Sequence, residues 1–174
     1  MSNILVVESK NDRIFIEAIV NHLNCNNFAL NIEIVIDEYE DLDGLSEKKL
    51  ILKLKNIQAR SQKDIINKIG IIIDLDEHQE IDRIQFINTC VEQAFEICQP
   101  ISKPKDFIQI TTNYGENLHL ACYFTNVNGQ GELETVLKAI KTEDSPHADC
   151  LESWQKCIES KGKKSNKKTL INFG

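Results

Sequence analysis

The chain has 174 residues, of which 41% are hydrophobic and 27% are charged, and its formal net charge is −7 at pH 7. This length predicts one domain with a substantial core. No stretch approaches the ~18 apolar residues that a membrane-spanning helix requires. The amino-terminal residues also lack the basic, apolar and small-residue succession of a secretory signal. We therefore expect a cytoplasmic protein with no membrane partner.

The six cysteines include no Cys-x-x-Cys pair, and the four histidines show no spacing typical of zinc ligands. Ordinary buried thiols in a reducing compartment explain this pattern better than disulfides or a zinc site. The chemistry of the chain must therefore be sought among its other side chains.

The first predicted element is a strand over residues 3–7, a short apolar run that ends in the carboxylate of Glu8. Ser9 follows, and its hydroxyl is expected to cap a helix over about residues 12–23, which carries apolar residues at helical spacing. A second strand is predicted over residues 31–36 from its period-two pattern. An acidic loop comes next, and residues 46–68 are expected to be helical in two pieces.

The most informative segment begins at Ile69 and ends in the pair Asp74 and Asp76. Its apolar run predicts a strand buried on both faces, with two carboxylates at its carboxyl end. Because like charges so close together repel each other and lose water, the pair is favourable when a cation lies between them. A hard divalent ion such as Mg²⁺ suits these ligands. The alternative is that both aspartates only solvate a loop, or that one caps the next helix.

The remaining elements alternate in the same way. They are a helix over residues 81–98, strands over residues 107–111 and 119–124, and helices over residues 132–141 and 148–160. This alternation predicts an α/β fold with a Rossmann-like, doubly wound, mainly parallel sheet and helices on both faces. Glu8 and the Asp74/Asp76 pair should then lie at the same sheet edge, where open α/β sheets bind their ligands. Residues 1–160 are expected to form this single domain.

Residues 161–174 are predicted to be a lysine-rich tail. Five positive charges fall within eight residues, at Lys161, Lys163, Lys164, Lys167 and Lys168. Such a run is either a solvated end or a flexible arm that contacts a phosphate backbone. The acidic balance of the whole chain opposes nonspecific attraction to a polyanion. The acidic balance therefore predicts that delivery of any nucleic acid depends on a protein partner.

Two motifs together resemble the Toprim domain. They are the segment from Val6 to Asp12, which contains Glu8, and the segment from Ile72 to Asp76, which contains the Asp-x-Asp pair. Toprim domains occur in topoisomerases, bacterial primases, overcoming-lysogenization-defect nucleases and small ribosomal-RNA maturases. Residues 126–134 also resemble a turn and helix start of small stand-alone Toprim-like proteins. Ser9 stands where many members have glycine, and His78 where some have an acid.

The resemblance implies Mg²⁺- or Mn²⁺-dependent phosphodiester chemistry on DNA or RNA, by a nuclease or a nuclease subunit. The implied metal ligands are Glu8, Asp74 and Asp76, and Glu8 is expected either to act as general acid or base or to complete a second metal site. Further residues predicted to contribute are Lys10 as a phosphate contact and Asp12 and Glu134 as secondary ligands. The alternative for Glu134 is a carboxylate that only stabilises the start of a helix. The alternative is a non-catalytic regulatory or assembly subunit that binds a metal or nucleotide and a protein partner.

Overall fold

The computed structural model of the chain describes residues 2–26, 31–35, 45–95, 97–140, 153, 156–157 and 160–161. The chain divides into two compact units, Met1–Ala139 and Ile140–Gly174. In the second unit the Ser160 hydroxyl donates a hydrogen bond to the Cys157 carbonyl, and Lys161 is exposed. The other four lysines of the predicted tail lie outside the described residues. Among the described residues, no helix is long and apolar enough to cross a membrane.

The described residues form a six-stranded sheet and four helices along the chain. The elements are β1 (Ser2–Val7), α1 (Lys10–Cys25), β2 (Ile32–Val35), α2 (Glu47–Ser61), β3 (Ile66–Asp74), α3 (Glu80–Ala94), β4 (Ile97–Cys98), β5 (Ile108–Thr111), β6 (Asn117–Thr125) and α4 (Leu133–Ile140). The strand order is β2-β1-β3-β6-β5-β4. The pairings among β2, β1, β3 and β6 are parallel, whereas β5 and β4 extend the sheet as antiparallel strands. The predicted Rossmann-like α/β fold is thus confirmed.

The direction of the crossovers decides which face each helix covers. The crossover from β1 to β2 moves one way across the sheet, and the crossovers from β2 to β3 and from β3 to β4 move the other way. Because such crossovers are right-handed, α1 lies on one face and α2 and α3 lie on the opposite face. Buried side chains from β1, β3, β6, α2 and α3 form one hydrophobic core on the second face.

The paired strands alternate between these two faces. Ile4 and Val6 of β1 pair with Ile69 and Ile71 of β3, and all four belong to the core. The next position, Leu5, pairs with Gly70 on the opposite face. A Cβ at residue 70 would clash with Cδ2 of Leu5, so any larger residue there would force the Leu5 side chain to shift.

Two predicted boundaries are wrong. The third helix ends at Ala94 rather than near residue 98, because Phe95 is extended and Ile97–Cys98 pairs with β5. The predicted helix over residues 46–68 ends at Ser61, because residues from Ile66 onward pair with β1. Pairing between distant strands overrides local helical spacing at both places.

Candidate metal centre

The carboxyl ends of β1, β3 and β6 meet at one edge of the sheet. Asp74 is the last residue of β3 and pairs with Thr125 at the end of β6. Glu8 comes directly after β1, and its Oε2 accepts a hydrogen bond of 3.0 Å from the Asp74 backbone N–H. The structure therefore places both residues at the edge where open α/β sheets bind ligands.

Three carboxylates converge at this edge. Asp74, Asp76 and Glu132 each offer an oxygen, and these oxygens all lie within 4.8 Å of one another. All three residues are partly buried, so the oxygens are shielded in part but can still be reached from solvent. We refer to these three residues as the carboxylate cluster. It shares two members with the predicted metal site and has Glu132 where the sequence analysis expected Glu8.

An unusual backbone conformation holds Asp76 in the cluster. Its φ angle is 53°, in the left-handed region that aspartate tolerates better than most residues. Two hydrogen bonds with Gly131 fix this residue: the Asp76 N–H donates to the Gly131 carbonyl at 2.8 Å, and the Gly131 N–H donates back at 3.1 Å. The Leu75 N–H donates to the Thr125 carbonyl at 3.1 Å. These contacts tie the loop after β3 to the chain that follows β6.

A tight turn after β6 returns the chain to Asp76. Asn128 and Gly129 both have positive φ angles, and the Asn126 side chain accepts from the Gly129 N–H at 3.0 Å. The Asn126 amide also donates to the Phe124 carbonyl at 2.8 Å. The turn thereby delivers Gly131 to its bridge with Asp76 and places Glu132 next to the two aspartates.

Gly131 is needed for two separate reasons. Its φ angle is 99°, a backbone conformation that residues with a side chain rarely adopt. A Cβ at this position would also lie only 2.6 Å from the Thr135 Oγ1. We expect Gly131→Ala to displace Glu132 and weaken Mn²⁺ binding measured by calorimetry. Gly115→Ala is a matched control, because Gly115 also has a positive φ but has open space around it. Equal metal affinity in the two variants would contradict this role of Gly131.

The start of α4 contributes directly to the cluster. The Glu132 carbonyl accepts from the Thr135 and Val136 N–H groups, so Glu132 occupies the cap position of this helix. The N–H of Leu133, the next residue, donates to Asp74 Oδ1 at 3.1 Å. Leu133 itself is buried and anchors the helix start. The same helix end thus supplies a carboxylate and a backbone donor.

The site accumulates negative charge at considerable electrostatic cost. Burial raises the pKa of Asp74 to about 7, and repulsion from Asp12, Glu8, Asp76 and Glu134 adds to this effect. Burial also raises the pKa of Glu8, although backbone N–H groups of Asp74 and Leu45 act in the opposite direction. A bound cation would relieve this repulsion, which is the physical reason to regard the cluster as a metal centre.

One internal cation already faces the cluster. Arg83 on α3 donates from Nη2 to Asp76 Oδ2 at 2.8 Å, and only 15% of its side chain is exposed. Its Nε is buried and has no hydrogen-bond partner among the described residues. Arg83 also lowers the pKa of Glu8 by charge attraction. It therefore offsets part of the negative charge at this edge.

Two of the other residues predicted for the site, Asp12 and Glu134, lie close enough to Asp74 to raise its pKa. Asp12 is buried, and its Oδ2 accepts from the Ser9 N–H and hydroxyl, while the Ser9 hydroxyl accepts from the Asp12 N–H. The predicted Ser9 cap of α1 is therefore confirmed as a capping box. Lys10 is exposed at the first position of α1. Glu134 is exposed in the first turn of α4, close enough to Asp74 to raise its pKa.

Sequence reasoning missed Glu132 and Arg83. A usable signal existed for Glu132, because it directly follows Gly131 and precedes an apolar helical stretch, which is where a cap residue stands. The residue predicted from the sequence is instead Glu134, two positions farther on. Arg83 had no comparable signal, because its approach to Asp76 depends on how α3 leaves the loop after β3.

Comparisons with known proteins add a family but no activity. A family model described as "Protein of unknown function (DUF3226)" matches residues 2–172 of the chain. The chain matches no curated protein and no solved structure. The matched range takes in the carboxylate cluster and nearly all of both units.

Proposed function

Because the chain belongs to the DUF3226 family of proteins of unknown function, we propose a function from the site itself: metal-dependent phosphodiester chemistry on nucleic acid. The cation would be Mg²⁺ or Mn²⁺, and the protein would act as a Toprim-like nuclease or nuclease subunit. Nucleic acid would be its substrate, with an ATPase or another subunit as a partner. The convergence of three carboxylate oxygens within 4.8 Å carries this proposal.

The donor set fits a hard divalent cation. Asp74, Asp76 and Glu132 supply only oxygen ligands, which Mg²⁺ and Mn²⁺ prefer, and three protein ligands leave room for water or a phosphate oxygen. These three residues would hold the ion. When bound, an ion of this kind polarises a phosphoryl oxygen and stabilises charge on the attacking and leaving oxygens.

Glu8 is the proposed general acid or base. Its carboxylate is held by the Asp74 N–H, next to the cluster but outside it, so it can take or give a proton without leaving the metal short of a ligand. Lys10, two residues farther along and exposed, is the proposed contact for a substrate phosphate. Nothing in this arrangement requires a covalent nucleophile.

A second candidate function follows from Arg83. Since this arginine already pairs with Asp76, the cluster is partly neutralised without a metal. The net charge of −7 also opposes general attraction to nucleic acid. Both observations favour a non-catalytic regulatory or assembly subunit, which would bind a metal or nucleotide and a protein partner.

Cleavage assays distinguish the two candidates. We expect the full chain to cleave single-stranded DNA, duplex DNA or RNA in Mn²⁺ or Mg²⁺ and to be inactive in EDTA. Glu8→Gln should slow cleavage by about 10²- to 10⁴-fold, because a positioned acid or base contributes that much. The same variant should retain Mn²⁺ binding, because Glu8 lies outside the carboxylate cluster.

The controls separate a catalytic role from a structural one. Glu17→Gln alters an exposed glutamate of α1 that pairs with Arg13, and it should leave both cleavage and metal binding unchanged. Metal binding without cleavage of any substrate would instead favour the non-catalytic subunit. Absence of metal binding would contradict both candidates in their metal-dependent form.

A further inference from the structure

One face of the sheet carries basic and aromatic side chains beside the carboxylate cluster. This surface, called the open face below, is the side of β3, β6 and β5 opposite to α2 and α3. Lys68 of β3 pairs with His119 of β6, and Ile72 pairs with Tyr123 four positions farther along. Lys68, His119 and Tyr123 are all exposed. Within the described part of the chain, these three side chains are therefore open to solvent rather than covered by a helix.

Two lysine–aromatic pairs form on the open face. Lys68 Nζ lies 5.0 Å from the centroid of the Phe107 ring, and Lys105 Nζ lies 5.3 Å from that of Tyr123. Phe107 is 55% exposed and Tyr123 is 41% exposed. Each pair thus combines accessible ring surface with a nearby positive charge. Proteins that bind single-stranded nucleic acid use this combination, since bases stack on rings while cations contact phosphates.

The open face leads directly to the carboxylate cluster. Side chains at alternate positions of a strand share a face, so Asp74 lies on the same side of β3 as Lys68 and Ile72. Tyr123 is two residues before Thr125, the partner of Asp74, which corresponds to roughly 7 Å along the strand. A polymer lying over Tyr123 would therefore reach the cluster without crossing another element of the sheet.

The charge on this face contrasts with that of the whole chain. The described strand positions on the open face before Asp74 include no acidic residue, although the exposed Asp106 lies between Lys105 and Phe107, and the whole chain carries a net charge of −7. Lys68 and Lys105 are the cations that accompany the two rings. This local segregation of charge complements a polyanion.

We propose that the open face binds single-stranded nucleic acid, with bases stacked on Phe107 and Tyr123 and phosphates near Lys68 and Lys105. The bound strand would run along β6 toward the carboxylate cluster. Unpaired bases are required, because paired bases cannot offer their faces to side chains on a sheet. The proposal rests on the proposed function only for its direction, since binding itself needs no metal.

Fluorescence anisotropy of a labelled oligothymidylate of about 12 nucleotides tests this surface on the full chain in EDTA. We expect Phe107→Ala and Tyr123→Ala each to weaken binding by about tenfold, the loss typical of one stacked base. Tyr123→Phe should retain binding, because the ring remains. Lys68→Ala and Lys105→Ala should each reduce the slope of log K against log salt by about 0.7.

Controls come from residues away from the open face. Tyr114 is an exposed tyrosine in the turn between β5 and β6, and Lys55 is an exposed lysine on α2. Their alanine variants should bind as the wild type does. Thermal unfolding of every variant identifies any loss of binding that comes from loss of folding. Oligouridylate in a parallel measurement distinguishes RNA from DNA.

Several results would overturn the proposal. Wild-type affinity in both aromatic variants would remove the stacking surface, and so would duplex binding as tight as single-strand binding. Equal losses in the Tyr114 and Tyr123 variants would do the same. Binding is measured in EDTA and cleavage in Mn²⁺ or Mg²⁺. Binding in the first assay without cleavage in the second would support the open face as a binding surface and reject the nuclease. Cleavage that is insensitive to both aromatic variants would reject the open face alone.

Discussion

Asp74→Asn should abolish most Mn²⁺ binding by the full chain. The substitution removes one of the three proposed charged ligands, and ions of this class demand a near-octahedral oxygen shell that the remaining two carboxylates cannot easily complete. Changing a residue that merely orients a ligand typically costs about 10- to 100-fold in metal affinity, so loss of a ligand itself should cost at least that much. Isothermal calorimetry measures the change directly.

The same variant should be more stable than the wild type in metal-free buffer. Asparagine keeps an oxygen that can accept from the Leu133 N–H, while the repulsion from Asp12, Glu8 and Asp76 is removed. The pKa of Asp74 is about 7 in the folded protein and near 3.8 in the unfolded chain. The folded state therefore binds the proton more tightly, and the stability contributed by that proton is lost as the pH rises through about 7.

The advantage of Asp74→Asn should consequently depend on pH. It should be small below pH about 4, grow between pH about 4 and about 7, and level off above that value. Thermal unfolding in EDTA across this range measures the difference in Tm between the two proteins. Asp64→Asn is the control, because Asp64 is exposed and lies just before β3, at the opposite end of that strand from Asp74. A pH-independent difference, or unchanged Mn²⁺ affinity, would contradict the assigned role of Asp74.

Much of the fold could be predicted from local patterns. The apolar run that ends at Asp74 marked the central strand β3, and Ser9 with Asp12 marked the start of α1, because strand burial and helix capping depend on residues close in sequence. The end of α3 could not be predicted in this way. Ile97 and Cys98 pair with β5 across the loop of residues 99–107, and the spacing of apolar residues around them does not predict that pairing.

Part of the candidate site could likewise be predicted from local sequence patterns, and part of it could not. Asp74 and Asp76 follow a recognisable strand, so their place at the sheet edge was accessible from sequence. Glu132 joins them because the turn after β6 requires positive φ angles at Asn128 and Gly129 and then bridges Gly131 to Asp76. That return depends on backbone geometry over several residues. A pattern of apolar and polar residues does not reveal which of the two nearby glutamates, Glu132 or Glu134, the turn places beside the two aspartates.

The choice between those two glutamates gives the sharpest test of the site. Glu132→Gln should weaken Mn²⁺ binding by at least about 10- to 100-fold, because it removes a charged ligand of the carboxylate cluster. Glu134→Gln changes the same chemical group two residues away, but this residue is exposed and acts on Asp74 only through charge. We expect it to change the affinity much less.

The two variants form a matched pair, since both replace a glutamate near the start of α4. Their stabilities should differ little from each other, because glutamine preserves side-chain volume at each position. Calorimetric titration of both with Mn²⁺ at pH 8, where Asp74 is mostly ionised, gives the comparison directly. If Glu134→Gln weakened binding more than Glu132→Gln, the ion would be held by the start of α4 in a different way. The ligand set drawn from the three converging oxygens would then be wrong, and Glu134, the secondary ligand predicted from the sequence, would take the place of Glu132.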